Sequence, residues 1–243
     1  MRKDSLFALG VAGLLLVGCT STPTEPPAAP PTVDTAAELS QPTAEMLATV
    51  APIATTAGAA LPEGAQTYSI DPATSKVIYE VGETFFREGN RFNLAVGTTN
   101  TLSGDITLDF SNPANSKVGP LTVDISKFAS DSDRRDNRIR EQWLESAKFP
   151  TVTVVPTAIT GIPADATEGQ PISFQLTGDT TIRDTTKPLT FDVTATLANG
   201  QLTGTATTKL KMTDFGFQPP DIAGMLKAED DVVIKIEFTA LPN

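Results

Sequence analysis

The chain has no histidine among its 243 residues. That removes Ser-His and Cys-His nucleophile pairs, the commonest general base and the commonest metal ligand. Cysteine occurs once, at Cys19, which excludes an intramolecular disulfide and a thiolate metal cluster. Positive charge is scarce: 18 Lys and Arg stand against 29 Asp and Glu, a formal net charge of -11. This balance opposes nucleic-acid binding, whose affinity rests on counterion release at many basic groups. It equally opposes electrostatic docking on an anionic membrane. The apolar run from Leu6 to Val17 falls short of the about 20 residues that cross a hydrocarbon core.

That run has another use. Arg2 and Lys3 precede it, and Leu16-Val17-Gly18-Cys19 closes it in the order of a lipobox. Residues 1–19 therefore read as a lipoprotein export signal, with Cys19 placed to be acylated. Acylation also accounts for the single thiol, which an exported protein must hide, pair or modify. The competing reading is a buried thiol in a chance apolar stretch. Several acyl chains on Cys19 would give stable membrane attachment. The expected location is exported, anchored by lipid to the outer face of the cell envelope.

Residues 20–66 are rich in Pro, Ala, Thr and Ser and bury too little apolar surface to offset ordering entropy. A helical stretch from Ala36 to Ala48 would be interrupted by Pro42. The segment reads as a disordered tether, spanning roughly 35–40 Å as a coil. Residues 67–243 form one domain, within the usual size range.

In this domain the pattern has period two. Leu102, Gly104, Ile106, Leu108 and Phe110 alternate with polar residues, as do Ile172-Phe174-Leu176 and Leu189-Phe191-Val193-Ala195-Leu197. The last strand places Val232, Ile234, Ile236, Phe238 and Ala240 on one face. Strands with one dry and one wet face predict an antiparallel sandwich or barrel. Asn199-Gly200 between two such runs predicts a tight hairpin. One helix interrupts the strands: Ser132 and Asp133 can cap it, Ile139 and Trp143 share a face, and Pro150 bars continuation.

Catalytic constellations are weak. Asp105, Asp109, Asp124, Asp192 and Glu237 fall on the polar phase of strands and are expected on solvated outer faces. Asp131-Ser132-Asp133 with Asp136 lacks the glycine and final glutamate of a calcium loop, so helix capping explains it better. Asp214-Phe215-Gly216 lacks every other kinase motif. No catalytic residue and no metal ligand is expected. Arg134, Arg135, Arg138 and Arg140 form either a basic rim or a solvated helix face. Phe85, Phe86 and Phe92 flank a polar turn, and Phe217 precedes the last strand, as the mouth of a lipid pocket would require. They could equally plug the barrel. Gly104, Ala195, Gly204 and Ala206 on the inward phase favour empty volume.

Tyr68-x-Ile70-Asp71-Pro72, Arg135-Asp136-x-x-Ile139-Arg140, Phe149-Pro150, Leu176-Thr177-Gly178 and Ile182-Arg183-x-Thr185-Thr186-Lys187-Pro188 together resemble the YceI-like family of lipocalin-like carriers. Asp214-Phe215-Gly216 sits where that family has its late loop. The chain departs at Gly82-Glu83 and Met212-Thr213, where the family often has a histidine and an arginine. The resemblance implies an eight-stranded antiparallel barrel with one α-helix and an isoprenoid tail running through its interior.

The expected function is a tethered, non-enzymatic holder of an apolar isoprenoid lipid of quinone or polyprenol type, for transport, storage or stress protection. Leu102, Ile106, Leu108, Phe174, Leu176, Phe191, Val193 and Ile234 would line the tail, with Phe85, Phe86, Phe92, Trp143 and Phe217 near the opening. Arg135 and Arg140 would meet the headgroup. No cofactor is expected beyond the lipid, and a homodimer is left open. The alternative is an envelope interaction module with a filled core.

Overall fold

The computed structural model describes residues 64–243. Cys19, the export signal and all but the last residues of the expected tether lie outside them. The first strands are β1 (Ala65–Ile70), β2 (Lys76–Phe85), β3 (Arg91–Thr99), β4 (Leu102–Ser103) and β5 (Asp105–Asp109). Three short strands and one long one follow: β6 (Lys117–Val118), β7 (Leu121–Asp124), β8 (Ala129–Ser130) and β9 (Thr151–Thr160). The long hairpins come last, in β10 (Ile172–Ile182), β11 (Thr185–Ala198), β12 (Gln201–Lys211), β13 (Asp221–Ile222) and β14 (Leu226–Pro242).

All fourteen join one antiparallel sheet curled around its apolar face. Only Gly104 separates β4 from β5. Strand β4 pairs with β7 while β5 pairs with β1, so the ladder β7-β9-β10-β11-β12-β14-β1 returns to its start through this bend. Counting β4 and β5 as one bent strand, eight strands complete the circuit, the number that the family resemblance implies. Beyond it, β2, β3 and β8 extend the sheet from the first half of β14 as a half-barrel.

The open side of that half-barrel is occupied by α1 (Asp133–Arg138). Ser132 caps the helix, its hydroxyl accepting from the Arg135 amide, which satisfies one of the unpaired donors of the first turn. A π turn (Ile139–Trp143) continues the helix, and the positive φ of Glu145 then ends it before Pro150 is reached. The Asn199-Gly200 turn has positive φ at both residues, the backbone that matches strand twist in a two-residue hairpin.

Two expectations are corrected. Gly104 and Gly204 leave no empty volume: a Cβ at Gly104 would lie 2.4 Å from Leu121, and one at Gly204 2.5 Å from the Thr194 carbonyl oxygen. Neighbours already fill those places. Asp109 is not on a solvated face but buried, because its carboxylate accepts from the Ser111 and Asn112 amides and the Asn115 side chain, tying down the turn after β5.

Candidate functional site

Each long strand carries its inward residues past two separate cavities. On β12 Ala206 lines the first, Thr208 neither, and Leu210 the second. On β10 Leu176 lines the first and Ile182 the second, with Gly178 and Thr180 between them lining neither. Leu121, Val123 and Ile125 repeat the sequence near β7, and Ile236 and Ile234 on β14 face one cavity each.

The larger, upper cavity holds about 450 Å³ and the lower about 200 Å³. Only the upper lies within the 300–1,000 Å³ usual for small-molecule sites. They also open at opposite ends. The upper mouth is formed at the β2-β3 turn by Phe85, Arg87 and Glu88 and before β14 by Phe217, Pro220 and Met225. The lower is bounded by Pro113 and Ser116 after β5 and by Ala166 and Glu168 between β9 and β10.

Between them lies a packed waist. Val77, Val123, Val154, Thr180, Phe191 and Thr208 are all buried and line neither cavity. Leu102, less than 2 % exposed, also lines neither. A Cβ on Gly178 would meet Val154 Cγ1 at 2.8 Å, so Val154 fills the place of the missing side chain.

The upper cavity is apolar with a polar corner. Alternation along β2 turns Tyr79, Val81, Glu83 and Phe85 inward. Glu83 is buried and would be costly alone; Arg135 of α1 meets it, Nη2 to Oε2 at 3.1 Å, and Asn93 donates to the same oxygen at 3.2 Å. Arg135 also pairs with Asp131 and donates to the Ser130 hydroxyl at 3.1 Å. Burial alone would lower its pKa, yet the hydrogen bonds to Glu83 and Asp131 hold it above the ordinary arginine value. The Tyr79 ring packs edge-on against Phe128, with centroids 5.2 Å apart. Its hydroxyl is buried without a hydrogen bond of good geometry, and burial, aided by the Asp136 charge, pushes its pKa up to about 12. It is therefore a proton donor at any physiological pH. Among the described residues no group of His, Cys, Asp and Glu is arranged to hold a metal ion.

The structure places Phe85, Trp143, Phe217, Ile234 and Arg135 at the upper cavity, and Ile106, Leu108, Phe174, Leu176 and Val193 at the lower. Leu102 and Phe191 fall in the waist. Phe86 and Phe92 lie exposed outside both cavities. Arg140 lines neither; it donates to the Phe128 carbonyl at 2.8 Å and to Asn137 at 2.8 Å, holding the helix to the chain before it. Sequence reasoning passed over Tyr79 and Val81 and named Glu83 only as a departure from the family pattern, although a spacing of two from Val77 to Phe85 marks one face. It did not single out Arg87, which lines the upper cavity together with Arg134 and Arg138 of the expected basic rim.

A family model described as the YceI-like domain matches residues 68–240. A UPF0312 protein of Vibrio parahaemolyticus is 30% identical over 167 residues, covering 64% of this chain and 81% of the relative. Among solved structures, BcnA of Burkholderia cenocepacia has a TM-score of 0.55 at 20% identity, covering 70% of this chain and 98% of its own. A polyisoprenoid binding domain from Saccharophagus degradans, implicated in plant cell wall breakdown, has a TM-score of 0.54 at 13% identity, covering 73% and 99%.

Proposed function

Since the chain belongs to the YceI-like domain family, we propose that it binds an isoprenoid lipid of quinone or polyprenol type, whose apolar part enters the upper cavity. The observation that carries this reading is a ligand-sized, apolar interior with polar groups confined to one corner and the mouth. Burial of tail surface at about 25 cal/mol per Å² drives entry, less the cost of ordering. Tyr79, Glu83 and Arg135 orient the polar end. The likeness in fold to a polyisoprenoid binding domain supports the lipid class. Acylation at Cys19 would tether the protein to the outer face of the cell envelope, and no step of catalysis is required.

Native mass spectrometry of the purified chain, followed by organic extraction, tests the proposal. A stoichiometric isoprenoid is expected. A bare protein mass together with no uptake of added quinone or polyprenol would refute it. A second reading, an envelope interaction module, is favoured by Phe92, Leu94 and Val96, which stand exposed at alternate positions of β3. It predicts a protein partner or a second copy on that stripe, and dimerisation lost in Leu94→Glu by light scattering.

A further inference from the structure

We infer that the waist limits the length of tail the protein accepts, with Phe191 as the residue that sets the limit. The inference rests on the reading of the upper cavity as the lipid site. No residue lines both cavities, and at the level between them six or more strands contribute a buried side chain that faces neither. Phe191 is the largest of these and only 3% exposed. Its β10 partner in register is Leu176, which lines the lower cavity, so Phe191 lies on the border of that chamber. Gly178 next to it is already covered by Val154. A tail entering from the upper mouth therefore meets a packed floor rather than a continuous channel, and the lower chamber has its own mouth at the far end.

Tail length separates the two geometries. In an open channel each added isoprene unit buries more apolar surface, so affinity climbs with length. In a closed chamber it climbs only until the chamber is full, since further units stay outside.

The experiment is equilibrium binding of ubiquinones that share one ring and differ only in the number of isoprene units, to the full chain and to Phe191→Ala. The native protein is expected to reach a plateau at short tails. Phe191→Ala, whose floor opens into the lower chamber, is expected to bind long tails roughly tenfold tighter than the native protein does, with short tails little changed. Phe191→Leu provides the same comparison with a smaller packing defect and is read if the alanine variant does not fold. Affinity that keeps climbing through the longest tail in the native protein would overturn the inference and leave the lipid reading intact. A plateau unmoved in both variants would overturn the role of Phe191. Absence of uptake at every length would overturn the lipid reading and this inference together.

Discussion

Arg135 on the helix and Glu83 on the inner face of β2 are bound to each other across the upper cavity wall, 52 residues apart in sequence, with both side chains largely withdrawn from water. The pair fastens α1 to the half-barrel. Removing one partner strands a buried charge, which is costlier than losing both. Arg135→Ala is expected to destabilise the domain by about 3 kcal/mol. The double variant Arg135→Met with Glu83→Gln should recover most of that loss. Urea unfolding of the three proteins checks it; a single variant no worse than the double would contradict the argument.

Thr180 places a hydroxyl in the waist with no hydrogen-bond partner, whereas Thr208 at the same level donates to the Thr190 carbonyl at 2.7 Å. An unmet buried hydroxyl costs about 1–3 kcal/mol. Thr180→Val keeps the shape and removes that cost, so stability should rise by about 1 kcal/mol. Thermal unfolding should shift up by roughly 2–4 °C. The matching Thr208→Val should be destabilising, since it orphans the Thr190 carbonyl.

Much of the barrel was legible because it is written locally. The alternation around Val193 and Ile236, the Asn199-Gly200 turn and the Ser132 cap each need only neighbouring residues. What was not legible depends on register between strands. Phe191 and Leu176 look alike as inward residues and face each other across the β10-β11 hairpin, yet Leu176 lines the lower chamber and Phe191 lines neither cavity, a difference that the alternation they share does not carry. The glycines misled for a related reason: whether a missing Cβ leaves a void is decided by the facing side chain, here Leu121 and Phe238. Arg135 and Arg140 look equivalent in sequence, but only the first faces the cavity, since five helical residues carry Arg140 about 140° around the axis from it.

Asp109 gives the domain a specific sensitivity to acid. Its hydrogen bonds from the Ser111 hydroxyl, then from the Asn112 amide and the Asn115 side chain, hold its pKa below the ordinary aspartate value. A carboxyl with a depressed folded pKa contributes stability above its unfolded pKa, about 3.9, and loses it as pH falls through the lower folded value. Asp109→Asn should therefore be less stable than the native protein near neutrality, and the gap should narrow at low pH. Urea midpoints at pH about 6 and about 3 measure this. A gap that widens on acidification would reverse the assignment.

Gly97 on β3 tests how tightly the upper cavity wall is built. The Tyr79 ring lies over it, so that a Cβ there would stand 2.3 Å from Tyr79 Cε1. The ring cannot simply slide away, because Phe128 packs edge-on against it. Gly97→Ala must then push Tyr79 toward the cavity, at a cost of about 1–3 kcal/mol for overpacking. Lipid uptake should fall, and the near-ultraviolet circular dichroism of the tyrosine should change. Replacing the ring itself, Tyr79→Leu, should relieve the clash, so the double variant should be more stable than the sum of the two single losses predicts. Additive losses would mean that Gly97 and Tyr79 do not share the same space, since residues in contact show coupling in such a cycle and independent ones do not.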